Sequence, residues 1–298
     1  MAATPTTVTS LADSLPTMIH SAYIVREIDG VFMRTCETDK LPEGQGTTWN
    51  EIALAQISGQ SGITETTELD NPQQLSDLIL SATPVVSGVQ TRVTNRAKIR
   101  IDGKVAAKIG MLAQNAITRL KDETYISTLD GATTSLSGAG STLVSGIIGA
   151  AARQIRGNVT EPNNTAIYTV LHPFQLHDIQ SEIVAGVGTY TVPTGITEET
   201  WREGLSGSLF GTTVYEDGNI PIDGSDDAKG GVHAKSAIVL VQGRSPWNYE
   251  KLLPEVGGGS VDVFHYDEYV FVERNAGGGS SGGGHLFEIY SDALAPTS

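Results

Sequence analysis

Cysteine is nearly absent: Cys36 is the only one in 298 residues. No internal disulfide can form, and a reducing compartment is the default expectation. Positive charge is also scarce. Nineteen Lys and Arg stand against 34 Asp and Glu, a formal charge of −15. A chain so balanced is badly suited to wrapping nucleic acid with its whole surface. Long apolar runs are missing as well. The longest, Leu143 to Ala152, is about half of what a bilayer span needs, so no membrane partner is expected. The first 20 residues, MAATPTTVTSLADSLPTMIH, carry neither a basic stretch nor an apolar one, so they do not match a secretory signal. The sequons at Asn158 and Asn163 are discounted for that reason.

Motifs that carry chemistry are equally sparse. Gly278-Gly-Ser280-Ser-Gly282 matches a nucleophile elbow in letters, but it sits in a glycine-serine tract with no helix behind it. His172 and His177 are five apart, which separates them on a helix, and no Cys or Glu pattern completes a zinc set. Gly44-Gln-Gly46 and Gly186-Val-Gly188 are incomplete dinucleotide fingerprints. Asp223, Asp226 and Asp227 form an acidic loop in which the glycine and glutamate of a calcium site are out of register. The expectation is no catalytic residue, no cofactor and no metal site, hence a structural protein and not an enzyme.

What is present begins with one long helix, Lys98 to Leu129. Val105, Ile109, Leu112, Ala113, Ala116, Ile117 and Leu120 recur at steps of three and four, which lines them along one face. Asp102 is placed to cap its start. About 25 helical residues would span roughly 37 Å. The stripe is expected to lie on a sheet made from the last 50 or so residues. Six cations, Arg92, Arg96, Lys98, Arg100, Lys104 and Lys108, cluster at the helix entry. They suit a solvated face, and they also suit a local patch facing a polyanion.

The rest divides in order. Residues 1–36 are an arm with a weak strand near its end. Residues 37–97 supply strand propensity but few large apolar residues. Thr47–Ile57 and Ala82–Val93 are expected to be the two strands of a ribbon, with the apolar LSDLIL between them. Such a ribbon is marginal in water and its edges invite pairing. It needs a neighbour, unless it folds back on its own domain. Residues 98–135 hold the long helix. Residues 136–254 are expected to be a compact α+β unit. Its helices are 143–157, capped by Ser141 or Thr142, and one opening at Pro173. Its strands are Thr165–Leu171, the SLFGTTVYE segment and SAIVLVQ, with IDGSDDAKGGVH as a loop. In 255–298, Val261–Arg274 and Leu286–Leu294 are expected to close as an antiparallel hairpin beneath the long helix.

This order of elements resembles the major capsid proteins of tailed bacteriophages, whose fold is shared with encapsulin shells. Leu205-Ser-Gly207-Ser-Leu209-Phe210-Gly211-Thr-Thr-Val214-Tyr215, followed by Ile220-Pro221, is similar to the family's G-x-L-x-G-x-x-V…x-P run. Ala237 to Val241 with Gly243-Arg244-Ser245-Pro246-Trp247 is similar to the strand and turn that follow it.

The resemblance implies an α+β phage major-capsid fold. It would have an N-terminal arm (1–36), an extended β-hairpin loop (37–97), a peripheral domain with a spine helix (98–135), an axial domain (136–254) and a peripheral closing hairpin (255–298). It implies a subunit that assembles in the host cytoplasm into hexamers and pentamers, enclosing double-stranded DNA in the virion. Its partners would be copies of itself, non-specifically held DNA, scaffolding and portal proteins and, where one exists, a decoration protein. The six cations named above would face the lumen, and Trp49 would anchor the loop on a neighbour. Some family members crosslink through a lysine in the extended loop. None occurs from 41 to 97, so no crosslink is expected. Only about 36 residues precede the loop, so scaffolding is expected to be a separate protein. An encapsulin shell is the alternative, and a β-rich hydrolase or receptor-binding protein is the alternative of another class.

Overall fold

In the computed structural model the described residues are 30–44, 46–54, 57–65, 72, 74–75, 77–100, 103–158, 163–185, 207–256, 258–274 and 284–297. The expected arm before residue 30 and the Asp102 cap lie outside them. The chain begins with a single helical turn, α1 (Phe32–Thr35), and β1 (Glu37–Lys40). Next come β2 (Trp49–Leu54), β3 (Asp77–Ala82) and β4 (Val85–Thr94). The helices α2 (Asn95–Arg100) and α3 (Gly103–Asp130) follow, then β5 (Ser135–Ser137), α4 (Ser145–Arg156), β6 (Ile167–Leu171) and α5 (Pro173–Ala185). The strands β7 (Gly207–Leu209), β8 (Thr212–Glu216), β9 (Asp227–Ala234), β10 (Ile238–Leu253), β11 (Ser260–Glu273) and β12 (Leu286–Asp292) complete it.

Among the described residues, three sheets result. One runs β1-β10-β11-β4, a second β5-β12-β9-β6-β8-β7, and β2 and β3 form a ribbon of their own. The 28-residue α3 lies across both larger sheets, packing on β4 and β11 of the first and on β9 and β12 of the second. It buries Ala113, Ile117, Tyr125, Ile126 and Leu129. Leu112 and Leu120 were expected on that face but are exposed. They flank the buried line, because each residue turns the helix by about 100°. Gly231 lets α3 come close: a Cβ there would lie 3.1 Å from a Leu129 methyl carbon. Gly230 answers a different neighbour, since a Cβ there would run into the Val170 carbonyl and Leu171 of β6, so two close approaches place glycines in a central strand that propensity alone disfavours. The segment expected as an acidic loop is thus half strand, since β9 begins at Asp227.

Pairing departs from expectation in three further places. The closing hairpin does not exist: β11 pairs with β10 and β4, whereas β12 pairs with β9 and β5. Alternation reveals which face of a strand is apolar but not which strand lies beside it. The 136–254 grouping also divides, because β10 belongs wholly to the first sheet, where it runs to Leu253 through two register shifts. The ribbon's return strand is β3, from LSDLIL, and not Ala82–Val93. Pro84 separates β3 from β4, and β4 joins the larger sheet.

Local chemistry closes the elements. β7 and β8 are joined by Phe210 and Gly211, both at positive φ (51° and 82°), as a two-residue hairpin turn of the mirror-image type requires. Neither Ser141 nor Thr142 caps α4. Its first residue, Ser145, donates its amide to Glu182 Oε2 of α5 at 2.5 Å, so a carboxylate meets the positive helix end. One apolar cluster runs from Val31 and Phe32 through Tyr125 and Leu129 to Ile155, Val232, Ile238 and Phe287.

Candidate functional site

The β2–β3 ribbon is the candidate assembly surface. Directly opposed residues of an antiparallel pair share a face. Trp49↔Ala82 and Glu51↔Leu80 therefore share one face, and Ile52↔Ile79 with Leu54↔Asp77 share the other. The first face is turned to the chain's own body. Trp49 is only 5% exposed, packed on Val239 and Val241 of β10 and bordered by Leu80, Ala82 and Val270. Its indole Nε1 donates to Asp39 Oδ2 of β1 at 2.8 Å. Glu51 is gripped by Arg274, whose Nε donates to Glu51 Oε2 at 2.7 Å while Nη1 meets Glu37 of β1. The second face is open. Ile52 is 61% and Ile79 59% exposed, with Leu54 beside them and Ile57, Ile63 and Leu75 exposed further out.

Trp49 therefore cannot be the expected intersubunit anchor. Its ring is spent inside its own chain, where it fixes the root of the ribbon. The apolar groups left for a neighbour are Ile52, Leu54 and Ile79. A contiguous exposed apolar patch is uncommon on a solitary soluble chain and marks an interaction surface.

The six cations divide. Arg92 grips Asp262 of β11 with two parallel bonds, Nε to Oδ1 at 2.5 Å and Nη2 to Oδ2 at 2.7 Å, and Gln90 adds a third at 2.8 Å. Its hydrogen bonds and charge hold the Asp262 carboxyl below the usual carboxylate range. Arg92 is thus neutralised in place and removed from any free patch. Arg96 and Lys98 stand exposed on α2. Arg100 ends α2, and Lys104 and Lys108 lie in the first turns of α3; their side chains fall outside the described residues.

Among the described residues no group of three or more His, Cys, Asp or Glu is arranged to hold a metal. Among those residues, no helix is long and apolar enough to cross a membrane. A groove of about 720 Å³ between α3 and β12 is lined by Glu123, Asp130, Asn219, Asp223, Lys229 and Tyr290 among others. Two pairs of its polar groups are engaged with each other: Lys229 Nζ lies 2.5 Å from Asp130 Oδ1, and the Tyr290 hydroxyl donates to Asp223 at 3.3 Å. The Asp223–Asp227 loop ties itself as well. Asp223 Oδ1 accepts the amides of Ser225 and Asp227, and these bonds depress its pKa.

Sequence reasoning missed two sets of residues. Arg274 gave no signal, since it precedes a glycine tract and meets partners more than 200 positions away. Asp122 did leave one: it falls on the buried side of α3, beside Tyr125 and Ile126.

No family model matches the chain, and no curated protein matches it. Solved structures do. The capsid chain of cyanophage Pam1 superposes with a TM-score of 0.70 at 11% identity, covering 99% of this chain and 100% of that one. The capsid of cyanophage P-SCSP1u gives 0.69 at 10% identity, over 98% and 96%. The head of Helicobacter pylori bacteriophage KHP40 gives 0.68 at 14% identity, over 97% of both. At such identities the likeness establishes the fold alone: the described residues are folded like a phage capsid chain.

Proposed function

We propose that this chain is the repeating shell subunit of a tailed-phage head, a structural protein located in the virion. The observation that carries the reading is the open apolar face of the ribbon, Ile52, Leu54 and Ile79, on a chain whose full-length fold matches phage capsid chains. Its role is geometric. One chain makes heterologous contacts that close into hexamers and pentamers and then into an icosahedral shell. Each ribbon lays its open face on an adjacent copy, and burial there contributes roughly 25 cal/mol per Å² of apolar area. Arg96, Lys98, Arg100, Lys104 and Lys108 face the lumen and offset packaged phosphate without reading bases. Arg92 is excluded, being paired with Asp262. The acidic remainder keeps particles apart in solution. Separate scaffolding and portal proteins complete the head.

Size-exclusion chromatography followed by electron microscopy tests the reading. A megadalton fraction of closed shells is expected. A small oligomer overturns it, and native shells holding cargo protein without DNA replace it with the encapsulin alternative.

A further inference from the structure

We propose that Asp122 and Asp217 form a proton-dependent clasp, fastening the end of the arm at Gly30 and the loop after β8 to the long helix α3. Both side chains are fully buried. Asp122 projects from α3, and Asp217 directly follows β8. Asn219 holds one oxygen of each: its side-chain amide donates to Asp122 Oδ2 at 2.8 Å, and its backbone N–H donates to Asp217 Oδ1 at 2.9 Å. Asp217 is fixed further by its own N–H, which donates to the Leu171 carbonyl at 2.9 Å. The remaining oxygens, Asp122 Oδ1 and Asp217 Oδ2, have no donor among the described residues. Two buried carboxyls in hydrogen-bonding contact satisfy those oxygens by sharing one proton. The arm seals the pair, since a Cβ on Gly30 would lie 2.5 Å from Asp122 Oδ1.

Among the described residues, the titratable side chains packed about the pair include Cys36, Tyr125 and His233, and burial favours the neutral form of each. Cys36, from the arm, has its thiol pushed up to about 12 by burial. Tyr125, from α3, is pushed well above its ordinary value, again by burial. His233, from β9, accepts or donates at 2.7 Å to the Tyr125 hydroxyl, and burial pushes it down to about 4. None of these supplies a cation to balance a second negative charge. Burial first, and then Asp122, push the Asp217 carboxyl up to about 7.

The sign follows from linkage. An unfolded Asp titrates near about 3.9. Between that value and about 7 the closed form keeps a proton that the open form has lost. The clasp therefore weakens as pH rises through this window and is weakest above it. In an assembled shell it would make the fit between the arm, α3 and the second sheet tighter in acid.

The test uses the full-length, unassembled chain and the variant Asp217→Asn, whose amide gives Asp122 Oδ1 a permanent donor. The wild-type urea midpoint is expected to fall between about pH 5 and about pH 8, and the D217N midpoint to stay level and exceed wild type at the higher pH. Amide exchange of residues 30–36, corrected for intrinsic rates, reports the clasp directly. Opening should rise up to about tenfold per pH unit and level off above about pH 7 in wild type, with no such step in D217N. Should D217N fold poorly, the infrared carbonyl band of a buried protonated carboxyl in wild type decides. It is expected below about pH 7 and lost above it. A D217N chain with the wild-type decline, an arm with no pH step, or no such band overturns the proposal.

Discussion

Arg274 Nε donates to Glu51 Oε2 at 2.7 Å, and through that contact the end of β11 fixes the angle of a ribbon more than 200 residues earlier. The same guanidinium reaches Glu37 of β1 and, at 3.3 Å, the carbonyl of Ser236. One side chain thus holds the ribbon root, an edge strand and the start of β10 in register. Replacing Arg274 by Ala should cost the unassembled chain no more than about 1 kcal/mol, since the groups are partly solvated. The ribbon angle should become variable. Thermal unfolding checks the first expectation, and the spread of particle diameters in electron micrographs checks the second.

Trp49→Ala should act on folding itself. The ring is buried on Val239 and Val241, so its loss is expected to cost the unassembled chain about 3–5 kcal/mol. Denaturant unfolding measures this. Had Trp49 been an anchor between subunits, that stability would not change.

The double variant Ile52→Ser, Ile79→Ser should behave in the opposite way. Both side chains are solvent-facing in the single chain, so stability should move by no more than about 0.5 kcal/mol. Assembly should fail, or yield shells that dissociate on dilution. Size-exclusion profiles of matched preparations distinguish these outcomes.

The Arg92–Asp262 pair predicts an acid limit. A carboxyl held below its ordinary value contributes stability that is present above the unfolded value, near about 3.9, and is lost as pH falls below it. Wild-type melting temperature should drop on acidification below about pH 4. Arg92→Gln should lower the melting temperature at neutral pH and blunt the further drop in acid. Melting temperature against pH measures both.

Heating assembled particles in SDS should release single chains of 31.4 kDa. No lysine lies between positions 41 and 97 to form a loop crosslink. A covalent ladder on the gel would refute this.

Much of the candidate site was legible, but not its wiring. A ribbon with unpaired edges was evident from strand propensity without large apolar residues. Its return strand was misassigned, although Pro84 marked the break before β4. Trp49 looked like a surface aromatic because the groups that bury its ring, Val239 and Val241, lie 190 positions away. The cations at the helix entry looked like one patch until Asp262 claimed Arg92.

By itself the sequence determined the single free thiol, the long helix and the short helices about β6. These rest on composition, or on residues within a few positions of one another, where periodicity and backbone preference act. Only the tertiary structure decided that β11 lies between β10 and β4 while β12 lies beside β9. It alone brought Asp122 against Asp217 and Arg274 against Glu51. A strand's alternation specifies which face is buried, whereas its neighbour is chosen by closing the whole core. That choice depends on packing summed over distant residues, which no local pattern encodes.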